Sequence, residues 1–357
     1  MIGMNFKFAV MGAALVLLAG CSTPKVSQVV EVPARQSGMV NARKLAVFNI
    51  NGDNNGIFTA QVESYLGNIN VRHNRYFEMI ERQKIDRIIS EQRMVTSSGL
   101  FNEKDVVRLG KLSAADTLIM GSVSMPPMSV RQYTKKEEYC KDKDCKQTEI
   151  SYVSCAEKIA NVDFTLKAVS VQQGNIIFTQ SYSGKANNTF CGNGDGNRDS
   201  SLCKMHLAIP ALSNNTACGD QNETGLRNEA IKQVLDNLRK DVAPYPVVLN
   251  IEFLEEDDYM SSATEDKLEG AMEYVKQARI DRACGIFKDA LAGDTNSPAL
   301  YYNLGVCAEI GGDLDRAENL YNQADRKTRK PEKLISAAIN RVKSMRNNQA
   351  AVSRQMH

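Results

Sequence analysis

The first twenty-one residues set the compartment in which the remaining chain must fold, and the compartment decides what its cysteines become. Lys7 is followed by an apolar run from Phe8 to Leu18 and then by Leu18-Ala19-Gly20-Cys21. A basic residue, a short hydrophobic stretch and small residues before a cysteine make a secretory signal. At about 1.5 Å per residue the run falls short of roughly 30 Å of hydrocarbon, so a permanent transmembrane helix is not expected. Met4 serves equally well as a start, because the signal survives intact from there. No later segment is long and apolar enough to cross a bilayer as a helix.

The segment ending at Cys21 resembles the bacterial lipobox. That resemblance implies a signal peptide at residues 1–20, cleavage before Cys21, acylation of its thiol and new amine, and a stable membrane anchor. Ser22, not Asp, follows the cysteine, which by the same resemblance implies the outer membrane with the body in the periplasm. Residues 21–41 show no sustained period and read as a lipidated tether reaching up to about 60 Å.

Removing Cys21 leaves eight of nine cysteines, an even number in an oxidising compartment, so disulfides are expected. Six of them, Cys140, Cys145, Cys155, Cys191, Cys203 and Cys218, fall into two insertions at 125–160 and 184–223. Their spacing fits no paired zinc pattern. Three cysteines in each insertion require at least one bridge between the insertions if all six pair. Val162 to Val171 alternates and is rich in β-formers, Gln172-Gln173-Gly174 is a turn with Gly at the left-handed position, and Asn175 to Ser183 returns. This reads as a hairpin with a three-residue loop. Pairing Val171 with Asn175 and extending the register places Cys155 opposite Cys191, provided no bulge interrupts the ladder. Cys140 with Cys145 and Cys203 with Cys218 are pairings by proximity alone.

Along the chain, Leu45 to Ile50 reads as a strand, and Phe58, Val62, Tyr65, Leu66 and Ile69 recur at helical spacing. Tyr76 to Ile80 is a second strand, Arg82 to Met94 a helix burying Ile85, Ile88 and Ile89, and Asn102 and Asp105 cap a helix that buries Val106 and Leu109. Thr117 to Ser124 returns as a strand, Leu226 to Leu238 lines another helix, and Pro246 to Leu254 closes the domain as a strand. The expected fold class is α+β, a mixed sheet with helices over residues 42–254, followed by an all-α unit.

The run from Tyr76 to Gln92, Leu109-Gly110-Lys111, Ala114-Ala115-Asp116 and Leu118 to Val123 together resemble the CsgG-like family of curli assembly and transport lipoproteins, over roughly residues 41–254. In the family's secretion channel, segments at the positions of the two insertions form transmembrane hairpins and the subunits assemble as a ring. Residues 131–149 carry eleven charges in nineteen positions, and a lipid-facing Lys or Arg near the midplane costs about 2–4 kcal/mol. The insertions therefore read as disulfide-stapled periplasmic loops available for partner or subunit contacts.

Glu255 to Asp258 with Ser261-Ser262 marks a linker, residues 255–263. Beyond it, Ala271, Ala283, Phe287 and Ala290 recur thirty-four residues later as Gly305, Ala317, Tyr321 and Ala324. The spacing resembles the tetratricopeptide repeat. It implies two repeats over 264–331, a capping helix from Pro331 to about Met345 within a 332–357 tail, and a concave face of Leu268, Met272, Val275, Tyr302, Val306 and Glu309 for envelope or secreted partner proteins. Cys284 and Cys307 sit on adjacent helices of successive repeats and can pair.

With 44 basic against 42 acidic residues the chain has no field to hold nucleic acid. Its three histidines and the absence of a nucleophile elbow, phosphate loop or paired-histidine motif leave no catalytic residue, metal or cofactor to assign. The expected function is that of an outer-membrane-anchored, periplasmic, non-enzymatic scaffold or assembly component of an envelope, surface-fibre or secretion complex, self-associating as a homo-oligomer. The alternative is an oligomeric CsgG-like pore exporting curli-type fibre subunits.

Overall fold

A computed structural model describes residues 24–81, 83–84, 87–88, 103–193 and 223–356. They divide into two compact units, one of residues 31–246 with the C-terminal turn from Asn348, the other of residues up to Val30 with Val247–Asn347.

The first unit is built on β2 (Lys44–Asn51), β5 (Glu78–Met79), β6 (Thr117–Ser124), β7 (Ser129–Cys140), β8 (Thr148–Ser170) and β9 (Ile176–Asn193). Strand order is β5-β2-β6-β8-β7, with β9 also on β8. β2 is parallel to β5 and β6, and β8 is antiparallel to β6, β7 and β9. Lys44–Asn51 is a nearly unbroken apolar run because both faces of its strand are covered. Leu45 and Val47 join one core with Phe58, Val62 and Leu66 of α1 (Ile57–Gly67) and with Ala230, Val234 and Leu238 of α3 (Glu223–Val242). Ala46 and Phe48 point the other way, into a smaller core with Leu109 of α2 (Glu103–Ser113). A minimal hairpin, β3 (Asn70–Val71) with β4 (Asn74–Arg75), joins α1 to β5.

Side-chain hydrogen bonds and close backbone approaches hold these elements together. Asp116 accepts from the backbone N–H groups of Arg43 and Lys44 at 2.9 and 2.8 Å, pinning the start of β2 beside β6. Gly110 lets α2 approach the hairpin turn, where a Cβ would lie 2.1 Å from a Val171 methyl. Gly184 does the same for β9 under α3, where a Cβ would lie 2.0 Å from the Ala230 carbonyl oxygen. Asp53 caps α1, accepting from Phe58 N at 3.2 Å and from Thr59 N and Oγ1 at 2.7 Å each. Of the helix expected over Arg82–Met94, Ile85 and Ile89 lie outside the described residues, as do Asn102 and the side chains of Asp105 and Val106.

The second unit holds α4 (Ser262–Lys276), α5 (Ile280–Gly293), α6 (Pro298–Ile310), α7 (Leu314–Lys327) and α8 (Lys333–Met356) to Asn347, with most of a two-stranded sheet of β1 (Lys25–Val32) and β10 (Tyr245–Glu252). The helices α4 to α7 pack in succession. The positions that recur at thirty-four residues are all interior: Ala271, Ala283, Phe287, Ala317, Tyr321 and Ala324 are at most 1% exposed, as is Ala290. Small residues set the helix approach and the rings fill the space between. At Gly305 a Cβ would lie 2.5 Å from the Tyr321 ring.

Three expectations are corrected. The tether is not structureless after Cys21, since β1 begins at Lys25. Pro246 to Leu254 does not close the α/β sheet: as β10 it pairs with β1, placing Ile251 and Phe253 in the helical core. The capping helix does not stop near Met345. It runs to Met356, with Val352 fully buried in the α/β core.

Gly184→Ala should destabilise the α/β unit by about 1–3 kcal/mol, the usual cost of overpacking against a backbone that cannot retreat. Thermal unfolding of the full chain should show the corresponding transition moved down while the helical transition stays in place.

Candidate functional site

β8 is twenty-three residues long, which at about 3.3 Å per residue is roughly 75 Å of strand. Only its second part pairs with the central sheet, Asp163–Ser170 lying against β6. Its first part, Thr148–Ile159, pairs instead with the whole of β7, Ser129 opposite Ile159 and Cys140 opposite Thr148. β9 runs along it from Val153 to Val169. The first insertion is therefore a continuous β-ladder, not the loop expected from its charge. Charge density hid the strand because the ladder spends its charges across strands. Arg131 lies 3.5 Å from Glu157, its opposite number, and Lys141 3.4 Å from Glu149.

Alternation gives the ladder two unlike faces. Arg131, Tyr133, Lys135 and Glu137 share one face with Glu157. Val130, Ile150 and Tyr152, exposed by 56, 48 and 66%, share the other with Lys136 and Glu138. Glu137 accepts from Tyr139, in a short hydrogen bond, and from Lys135 at 2.9 Å, and these donors hold its carboxyl below the usual range. Exposed pairs of this kind add little to stability, because water screens them and fixing the side chains costs entropy. At the tip, the Asp142 carboxylate accepts from the N–H groups of Asp144, Lys146 and Gln147, closing the turn.

The structure joins Cys155 to Cys191, directly opposed on β8 and β9, Cys140 to Cys145 across the tip, and Cys284 to Cys307 on α5 and α6. Cys21, Cys203 and Cys218 lie outside the described residues. The hairpin turn differs from the expected one in an instructive way. Gly174 does take φ +74°, but the loop spans Val171–Asn175 and the register shifts between Ala168 and Val169. The longer loop and the bulge offset each other, so the strands reach Cys155 and Cys191 in the register that a three-residue loop would have set.

The expected concave face of the helices is corrected. Leu268, Met272, Val275, Tyr302, Val306 and Glu309 are all 3% exposed or less, because the chain covers them itself. Asn303 clamps the backbone of Leu254, accepting from its N–H at 2.9 Å and donating to its carbonyl at 2.8 Å. The Tyr302 hydroxyl donates to the Glu252 carbonyl at 2.9 Å. Glu309, fully buried, accepts from Tyr321 Oη at 2.6 Å and from Arg341 Nε and Nη2 of α8 at 2.6 and 2.9 Å. Burial opposes the Arg341 charge, yet the Glu309 hydrogen bonds and charge outweigh it and raise its pKa. Burial pushes the Tyr302 phenol up to about 12 and the Tyr321 phenol further, with the Glu309 charge adding to it. No sequence signal distinguished an open groove from one filled by its own flanks, except the apolar Ile251 and Phe253 just before the acidic stretch.

Among the described residues no cluster of His, Cys, Asp or Glu could hold a metal ion. No described helix is long and apolar enough to cross a membrane.

Arg341→Met should cost the helical unit about 3 kcal/mol or more, because it leaves the Glu309 carboxylate buried without its partner; unfolding of that unit, followed by helical circular dichroism, measures it. The raised phenols give a second test. An unfolded tyrosine ionises near 10 while folded Tyr302 holds its proton to about 12. Stability is thus complete below about pH 10 and lost as pH rises toward 12. Tyr302→Phe should flatten that alkaline loss.

The family model described as curli production assembly/transport component CsgG matches residues 58–192. No curated protein matches the chain. Among solved structures, the chain is similar to lipoprotein GNA1162 from Neisseria meningitidis, at 10% identity over 47% of this chain and 96% of that one, with TM-score 0.23. It is similar to the LpoB C-terminal domain from Salmonella enterica, at 12% identity over 42% and 86%, with TM-score 0.21. The PelC dodecamer from Paraburkholderia phytofirmans matches at 12% identity over 61% and 98%, with TM-score 0.21. That matched stretch carries nearly all of α1, β5, β6 and nearly all of the β7–β8–β9 ladder, but not β2, and over it the chain is similar to the CsgG family.

Proposed function

We propose that this protein is an outer-membrane-anchored periplasmic lipoprotein, held by acylated Cys21, that acts as a non-enzymatic scaffold in the assembly of an envelope, surface-fibre or secretion complex. The observation that carries the reading is the β7–β8–β9 ladder on a CsgG-family core. Its long exposed faces offer contact surface, as does β7, which ends the strand order among the described residues, and two disulfides keep the ladder in register. Homo-oligomerisation through the α/β unit fits this family, and α4–α7 fit two tetratricopeptide-type repeats. With their inner face filled by Glu252–Leu254 and α8, those repeats would recruit partners through other surfaces.

A second reading, the secretion pore, draws support from one specific feature: the first insertion is a β-hairpin with alternating faces, the form a channel wall requires. Against it, Lys136 and Glu138 stand on the more apolar face beside Ile150 and Tyr152, where a lysine at mid-bilayer costs about 2–4 kcal/mol.

Three experiments test these readings. Cys21→Ser should move the protein from the membrane fraction to the soluble periplasmic fraction; retention would remove the anchor. Single-particle imaging of the lipidated protein in mild detergent should show rings or monomers without a detergent belt around a β-walled channel. Finding that belt would establish the pore instead. Non-reducing peptide mapping should recover the peptide linking Cys155 to Cys191, and its absence would remove the staple from the argument.

A further inference from the structure

Pro24, the first described residue, stands three positions after Cys21, and three residues of extended chain span at most about 11 Å. Pro24 is held in the helical unit, its carbonyl accepting from Phe253 N at 2.9 Å. The Ser27 hydroxyl donates to Asn250 Oδ1 at 2.8 Å. A step forward in β1 thus matches an equal step back in β10, an antiparallel register that places Val29 opposite Val248. Burial follows this register. Val26, Val30, Leu249 and Ile251 face the helical core, while Lys25, Ser27, Val29, Val248, Asn250 and Glu252 face outward. Val29 and Val248 are 67 and 60% exposed, side by side beyond Ser27 and Asn250, while Lys25 and Glu252 stand opposite each other at the end near Pro24.

We infer that this outward face of β1–β10 rests on the lipid leaflet that holds the acyl chains of Cys21. The inference depends on the lipid-anchor reading above and adds to it which surface meets the membrane. So short a strap keeps the face at high effective concentration beside the lipid. Val29 lies about 17 Å along the strand from Pro24, within reach of the leaflet if the strands lie flat. The two valines enter the boundary between headgroups and acyl chains, and Lys25 at the near end meets lipid phosphate. The helical unit is then seated on the membrane, not suspended from it.

The chain contains no tryptophan, so Val248→Trp introduces a single indole, excited apart from the tyrosines, at an exposed position. The lipidated full-length variant is incorporated into phosphatidylethanolamine/phosphatidylglycerol vesicles with or without brominated acyl chains, and flotation is read on the same samples. Docking predicts that the protein floats, that Trp emission shifts to shorter wavelength, and that brominated lipid removes most of it. Val29→Trp should behave alike and covers the case in which Val248→Trp misfolds. Protein that floats with unquenched emission overturns the docking and leaves the anchor standing. A blue shift without bromine quenching places the valines against a second copy and also overturns it. Protein that does not float overturns the anchor reading itself.

Discussion

The α/β unit depends on one strand doing two jobs. β8 supplies the antiparallel neighbour that β6 needs in the core, and then continues until it becomes the centre of a ladder with β7 and β9. A strand so long is costly to order, and its outer part has little apolar burial to offset that cost. Covalent bridges and core packing take up the burden. Cys155–Cys191 ties β8 to β9 near the outer end of their pairing, and α3 packs over β9 through the notch that Gly184 leaves. The charged surface beyond is held in place without having to stabilise itself.

The helical unit solves the opposite problem. Four short helices packed in succession leave apolar side chains that they do not cover among themselves. The chain completes the stack with its own flanks: β1 and β10 cover one side, Leu254 is clamped by Asn303, and Arg341 of α8 closes on Glu309. A carboxylate buried beneath a guanidinium is weak evidence for added stability, since desolvation opposes the attraction. It does specify position well, because α8 shifted by a turn would strand both charges.

Both arrangements bear on function. Among the described residues, the ladder keeps exposed side chains on both faces and the β1–β10 sheet keeps an outward face, surfaces that remain available after folding. The inner face of α4–α7 is covered by Glu252–Leu254 and by Arg341 of α8.

Local patterning made the core strands and helices legible from sequence. Lys44–Asn51, Thr117–Ser124 and α1 follow from apolar runs and 3.6-residue spacing, because each buries its own neighbours in sequence. The Cys155–Cys191 register was legible too, although the bulge at Ala168/Val169 shows that it depended on two offsetting irregularities. The strand β7 was not, since its cross-strand partners lie on β8 and its residues read singly as a solvated charge run. Nor was the fate of Glu309 or of Pro246–Leu254, because a helix face or a strand pattern states only that something covers it. Sequence alone determined which core segments are regular, which of their residues face inward and how the cysteines are parcelled. Tertiary structure decided what covers each face, because burial partners distant in sequence leave no periodicity in the segments they meet.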